Sequence, residues 1–184
     1  MRAYRWIVLK EVASVLDRIG EDDTLHFVRE LEKAKRIYIS GVGRSGLVVK
    51  AFGQRLMHLG WDVHLADEIT APGIARGDLL IACSGSGTTE LTVYMAKKAR
   101  RIGARCVALT ASPGTPLGRL ARRTIVIPAS LDSRGGNGGV RSRQPARSLF
   151  EQALFLYLDS LILTLKDELG ITARKLRRRH ANLE

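Results

Sequence analysis

The chain has 184 residues, 45% of them apolar, 26% charged, and a formal net charge of +12. That is enough apolar content for one core and an ordinary charge fraction, which excludes wholesale disorder. No apolar run approaches the roughly 18 residues that would span a bilayer. Lys10, Glu11, Asp17 and Arg18 interrupt the first 20 residues, so these do not read as a secretory leader, and the expected location is cytoplasmic.

Helical spacing of Val8, Val12, Val15, Leu16 and Ile19 predicts a helix over 5–20, and a short second helix follows Asp23 through Leu25, Val28 and Leu31. The period then changes. RIYIS (36–40) is a β-rich run, followed by GVGRSG and a helical stretch to Gly60. WDVHLA (61–66) and LLIAC (79–83) are the next strands, the latter leading into SGSGTTE and a helix to about Gly103. RCVALT (105–110) and TIVIP (124–128) give strands four and five, with a short helix near 116–122 between them. Strands alternating with helices imply right-handed crossovers and a parallel sheet covered on both faces. The expectation is an α/β fold, a five-stranded parallel sheet of flavodoxin-like order 2-1-3-4-5 in one domain over 1–184.

After Pro128 the stretch ASLDSRGGNGGVRSRQPAR reads as a mobile loop. A long apolar helix follows over 148–169, with Gly170 as its stop, and residues 171–184 form a basic tail. The positive charge is uneven: Leu91 to Leu131 holds Lys97, Lys98, Arg100, Arg101, Arg105, Arg119, Arg122 and Arg123 and no acid. Such a surface favours anions, whether phosphorylated small molecules or nucleic acid. No aromatic residue interleaves the basic runs, so no stacking platform for a single strand is expected, and no nucleic-acid partner. Cys83 and Cys106 each lie inside an apolar run without metal-ligand spacing and read as buried small hydrophobes.

In an order 2-1-3-4-5 the ligand crevice lies between strands one and three. The loops leaving those strands are GVGRSG (41–46) and SGSGTTE (84–90), so the two Gly/Ser loops fall side by side. GVGRSG alone matches a dinucleotide loop, with Asp67 or Glu68 at a suitable distance for a ribose. The hydroxyl-rich partner loop points elsewhere. SGSGTT has the composition of an anion nest: glycines let N–H groups converge, Ser84, Ser86 and Thr89 add hydroxyls, and a helix N-terminus follows. Without a lysine it suits a phosphate monoester better than a nucleoside triphosphate.

GVGRSG, KAFGQRLMHLGWDVH, the Glu68-Thr70-Pro72 stretch, GDLLIACSGSGTTE and SLFEQ resemble the sugar isomerase (SIS) domain family over roughly 5–170. The Gly/Ser loops are common to that family and imply phosphosugar binding by Gly43, Arg44, Ser45, Ser84, Gly85, Ser86 and Thr89. RLMHLG and SLFEQ are similar to the branch that interconverts 3-hexulose 6-phosphate and fructose 6-phosphate through a cis-enediolate. One departure stands at Gln144-Pro145-Ala146-Arg147, where the branch commonly has Gln-Pro-Met-Gly. The resemblance implies Glu151 as base, His58 as ring-opening acid/base, no metal and no cofactor. It also implies a homo-oligomer, a tetramer, with active sites shared between subunits. The implied metabolic role is in the ribulose monophosphate pathway, coupled to 3-hexulose-6-phosphate synthase. The residues taken alone leave other assignments. Ser148-x-x-Glu151 is a capping box, and His58 sits in the last turn of a helix, where the dipole favours a cation. His64 reads as a strand residue with an edge or packing role, and His26 and His180 as surface. Two other SIS readings remain: a phosphosugar-sensing module without catalysis, and another isomerase such as one acting on arabinose 5-phosphate.

Overall fold

The computed structural model describes residues 2–132, 138–180 and 182. Twelve elements are described: α1 (Arg2–Leu16), α2 (Glu21–Glu32), β1 (Ile37–Gly41), α3 (Gly43–Leu59), β2 (Val63–Leu65), β3 (Leu79–Cys83), α4 (Glu90–Ile102), β4 (Arg105–Thr110), α5 (Pro116–Leu120), β5 (Arg123–Val126), α6 (Ser148–Glu168) and α7 (Ala173–Arg178). All four strand pairings are parallel and the order is β2-β1-β3-β4-β5. The expected fold is therefore the observed one.

Alternate residues of each inner strand serve opposite faces, as the two-residue period of a strand requires. Ile37, Ile39, Leu79, Ile81, Val107 and Leu109 meet a larger layer built from α1, α2, α3 and α6, including Phe27, Phe52, Phe150 and Leu154. Tyr38, Leu80, Ala82, Cys106 and Ala108 meet the smaller layer of α4 and α5 through Ala96, Ala99 and Leu117. Burial on both faces explains why these strands read as continuous apolar runs.

Helix ends follow local chemistry. Glu21, Asp22 and Asp23 fill the first turn of α2, where negative charge complements the helix dipole. Thr115 accepts the Gly118 N–H at 3.1 Å and Pro116 occupies the first turn of α5. Helices α3 and α4 end in left-handed glycines, Gly60 at φ 118° and Gly103 at φ 86°.

Most boundaries shift by one to three residues, and some features differ more. Helix α1 ends at Leu16, and residues 17–19 form tight turns, with Ile19 N–H donating to Leu16 C=O at 3.1 Å. The 129–147 stretch is held where it is described: Ala129 bridges Val140 in parallel, and Ser130 N–H donates to Val140 C=O at 2.9 Å. Residues 133–137 of that expected mobile loop lie outside the described residues. Helix α6 is long and apolar enough in composition to cross a bilayer despite Glu151 and Asp159, contrary to the reading of isolated runs; half of its most apolar window is buried in the fold. Finally, the basic tail forms α7, whose Leu176 packs against the larger core.

Candidate active site

The crevice lies where β1 separates β2 from β3. Gly41 pairs with Cys83 at the carboxyl ends of the two strands, so the loops that follow leave from adjacent points. The first loop is set by close approach. A Cβ on Gly46 would lie 2.4 Å from the Gly41 carbonyl oxygen, so only glycine lets α3 start this near β1. An open cleft of about 400 Å³ runs along it, between Gly41, Gly43, Leu47, Lys50, Asp67 and Leu91. Asp67 is taken by Lys50 at 3.1 Å.

The second loop is a hydroxyl network. Ser84 Oγ lies 2.8 Å from Thr89 Oγ1 and 3.4 Å from Ser86 Oγ, and accepts the Gly87 N–H at 3.0 Å. Thr88 donates to Ser86 Oγ at 2.9 Å. Thr89 is the N-cap of α4, yet its side chain makes no capping bond. Its hydroxyl serves Ser84 instead, which leaves the first amides of α4 to an incoming anion. Gly85 is boxed by Phe150 and Leu131, either of which a Cβ would meet within 3.2 Å. The loop is thereby seated against the start of α6.

Helix α6 delivers Glu151. The expected capping box is not formed. Arg147, not Ser148, is the N-cap, in a left-handed conformation at φ 70°, and no side chain caps the helix. The Glu151 carboxylate reaches across to α3, where Arg44 Nε donates to its Oε2. Glu151 is 7% exposed, whereas the Arg44 side chain is 66% exposed. Arg44, expected to hold phosphate, is thus committed to the candidate base. Cys83 closes the floor: burial, and secondarily the charge of Glu151, push its thiol well up, so it stays protonated and does not act as a nucleophile. A cavity of about 420 Å³ opens beside the pair, walled by Val8 and Val12 of α1, Leu47 and Val48 of α3, and Phe155 of α6.

The structure brings Gly43, Arg44, Ser45, Ser84, Gly85, Ser86, Thr89 and Glu151 to one end of the sheet. It does not bring His58 there. His58 lies fourteen residues beyond Arg44 on α3, about 20 Å along the axis at ~1.5 Å per residue. It is 2% exposed, its ring stacked on that of His180 at 4.8 Å. Arg179 Nη1 donates to the His58 carbonyl at 3.3 Å. His180 is exposed, as expected, and its ring covers that of His58 at this end of α3, a contact that no local spacing announced. His64 sits in β2 with its ring 5.4 Å from that of Tyr38, the packing role expected of it. Glu68 lines a separate cavity with Tyr38 and Lys98, against the α4 layer.

A parallel α/β sheet with a hydroxyl-and-amide cradle at its switch point, and a buried carboxylate beside it, defines a binder of phosphate esters. The chain belongs to the SIS domain family, whose model matches residues 30–156. A protein of Mycobacterium gastri named 3-hexulose-6-phosphate isomerase is 40% identical over 97% of this chain and 88% of its own length. One of the same name from Bacillus subtilis is 36% identical over 96% of this chain and 95% of its own. A Methanococcus jannaschii protein, whose crystal structure was described as inferring that same function, superposes with a TM-score of 0.85 at 29% identity, covering 99% of both chains.

Proposed function

We propose that this protein is an isomerase interconverting 3-hexulose 6-phosphate and fructose 6-phosphate through a cis-enediolate. The observation that carries the reading is the pairing, at one switch point, of a hydroxyl-and-amide cradle suited to phosphate with a buried, arginine-paired carboxylate. The names of full-length relatives at 36–40% identity point to the same reaction.

The reaction moves a carbonyl between C3 and C2. The Glu151 carboxylate takes the C2 proton of the hexulose, and electrons flow to the C3 oxygen, giving the C2–C3 enediolate. Transfer of the C2 hydroxyl proton to the C3 oxygen, with return of the abstracted proton from Glu151 to C3, yields the 2-ketose. Arg44 holds the carboxylate in place and, as Glu151 becomes neutral, can turn its charge toward the developing oxyanion. Ser45, Ser84, Ser86, Thr89 and the α4 amides take the 6-phosphate. No step requires an electron acceptor.

Fructose 6-phosphate exists largely as a furanose, so the reverse direction needs ring opening. Assigning that step to His58 requires the site of a neighbouring copy, because its own site is about 20 Å away along α3. An oligomer, proposed as a tetramer, is supported by one apolar face shared by three helices. On it Leu9, Leu47, Phe155 and Leu156 line one open cavity and are all exposed. The proposal also includes a single domain over the whole chain, a cytoplasmic location and metabolic coupling to 3-hexulose-6-phosphate synthase.

The test is a coupled assay in which that synthase, ribulose 5-phosphate and formaldehyde supply the hexulose and fructose 6-phosphate is followed. Appearance of fructose 6-phosphate only when this protein is added is the expected result. Its absence, with the synthase shown to be active, overturns the reading.

A further inference from the structure

A second carboxylate, on a different helix, holds the chain segment that delivers Glu151. Glu11 lies on α1 and engages three consecutive residues of the strand-to-helix strap. Its Oε2 accepts the Ser142 hydroxyl at 2.7 Å and Gln144 Nε2 at 2.9 Å. Its Oε1 accepts the backbone N–H of Arg143 at 3.0 Å. Ser142 Oγ in turn accepts the Gln144 N–H at 3.0 Å, so the strap is folded around the carboxylate. The electrostatics agree with a gripped anion. Burial works to raise the Glu11 pKa, but hydrogen bonds from Arg143 N–H, Ser142 and Gln144, with the charge of Arg143, bring it below its ordinary value.

The clamp matters because of what surrounds it. Between Val140 and Leu149 no side chain enters the apolar core. The strap reads Arg-Ser-Arg-Gln-Pro-Ala-Arg and is held by polar contacts. From Gln144 onward the path is tightly specified. Pro145 C=O accepts the Ser148 N–H at 3.0 Å, and Arg147 C=O accepts the Glu151 N–H at 3.2 Å. A displacement of residues 142–144 is therefore passed through a short, hydrogen-bonded turn to the first turn of α6. Helix α1 also supplies Val8 and Val12 to the wall of the cavity that contains Glu151 and Arg44.

We propose that Glu11 is a positioning residue of the isomerase, setting the place of Glu151 by clamping residues 142–144. The inference deepens the proposed function and rests on it. Removing the clamp frees a polar strap and leaves the packed sheet intact, so the effect falls on turnover more than on folding. A displacement of about 1 Å at a catalytic group costs up to roughly 10²-fold in rate.

The experiment uses the full-length protein and four variants: Glu11→Ala, Glu151→Gln, the two combined, and the exchange Glu11→Gln with Gln144→Glu. The coupled assay gives kcat and KM, thermal melting reports the fold, and amide hydrogen exchange reads residues 141–151. The expected result for Glu11→Ala is a kcat lower by about 10–100-fold. Its KM should stay within about threefold, since the phosphate cradle is untouched, and exchange should be faster over 141–151 alone. In the Glu151→Gln background the same change should cost nothing further, because a residue acting through Glu151 has nothing left to position. The exchange variant, which returns a carboxylate to the same pair, should recover part of the loss. Wild-type kcat in Glu11→Ala, or an undiminished effect on top of Glu151→Gln, overturns the inference while leaving the isomerase standing. So does a loss explained by a melting temperature that collapses for the whole protein. If the wild type itself makes no fructose 6-phosphate, the proposed function fails. The exchange data then still decide whether Glu11 clamps the strap.

Discussion

The two Gly/Ser loops look alike in sequence and do different work. In GVGRSG the glycines bring α3 against β1, with Gly46 packed on the Gly41 carbonyl, and Arg44 reaches across to Glu151. In SGSGTTE the side chains form the site, with Ser84, Ser86, Thr88 and Thr89 linked hydroxyl to hydroxyl ahead of an uncapped helix. In the proposed mechanism the first loop fixes distances and charge at the reacting carbons and adds Ser45 to the phosphate, and the second supplies most of the phosphate's donors. A motif rich in glycine and serine is therefore not one device. Whether it is a spacer or a cradle depends on where its hydroxyls and glycines face.

That division can be tested through kinetics that separate turnover from binding. The largest effect is expected at Glu151. Glu151→Gln keeps the shape and cannot accept a proton from carbon, so kcat should fall about 10²–10⁴-fold. Because Glu151 caps nothing, melting should shift by only a few degrees. Nearly full turnover would move the base elsewhere, with Glu68 and Glu90 the next carboxylates to examine. Gly46→Ala comes next and should be felt in the fold. Overpacking against backbone costs about 1–3 kcal/mol, and each kcal/mol lowers the melting temperature by roughly 2–4 °C in a chain of this size. An unchanged melting temperature would deny the spacer role of the first loop.

Ser86→Ala addresses the cradle. Losing one charge-assisted hydrogen bond should raise KM about tenfold or more with kcat nearly intact. A fall in kcat at constant KM would show that the second loop acts on the chemistry. Smaller still is Arg147→Gly. A non-glycine residue at φ 70° carries a strain of about 1 kcal/mol, so the glycine should raise the melting temperature by a few degrees. The smallest effect is expected in acid. Glu11 has a folded pKa below its ordinary 4.5, so the stability it adds is fully present above that value. It is lost as pH falls through the lower, folded pKa. Melting of the wild type should therefore drop more steeply in that window than melting of Glu11→Gln.

The strands and their order were legible because each buried strand is an apolar run and each crossover a separate helix. The two loops were legible because the strand order places them together. The Arg44–Glu151 pair was not, since its members come from α3 and α6 and no spacing links them. Ser148-x-x-Glu151 has the form of a capping box, but an available tertiary partner for the carboxylate outcompeted the local one. The Glu11 clamp joins α1 to a strap in the second half of the chain. The packing of His180 on His58 likewise joins the tail to the middle. Contacts of this kind become visible only when the sheet has brought their elements side by side.

Every rung of the sheet is parallel, and this bears on how the chain reaches its native state. Ile37 must find Val63 on one side and Leu79 on the other, Leu79 must find Arg105, and Val107 must find Arg123. No strand can pair with its neighbour through a tight hairpin, so each ladder begins with the closure of a long loop. Helices can form in microseconds, but the central β1–β3 pairing must wait for a whole crossover to collapse. Refolding from denaturant should show helical signal well before Trp61 fluorescence, which reports its packing and the Nε1–H bond to Leu31 C=O at 3.1 Å. The open edges and apolar helix faces exposed in that interval make dilute protein the condition under which recovery is best.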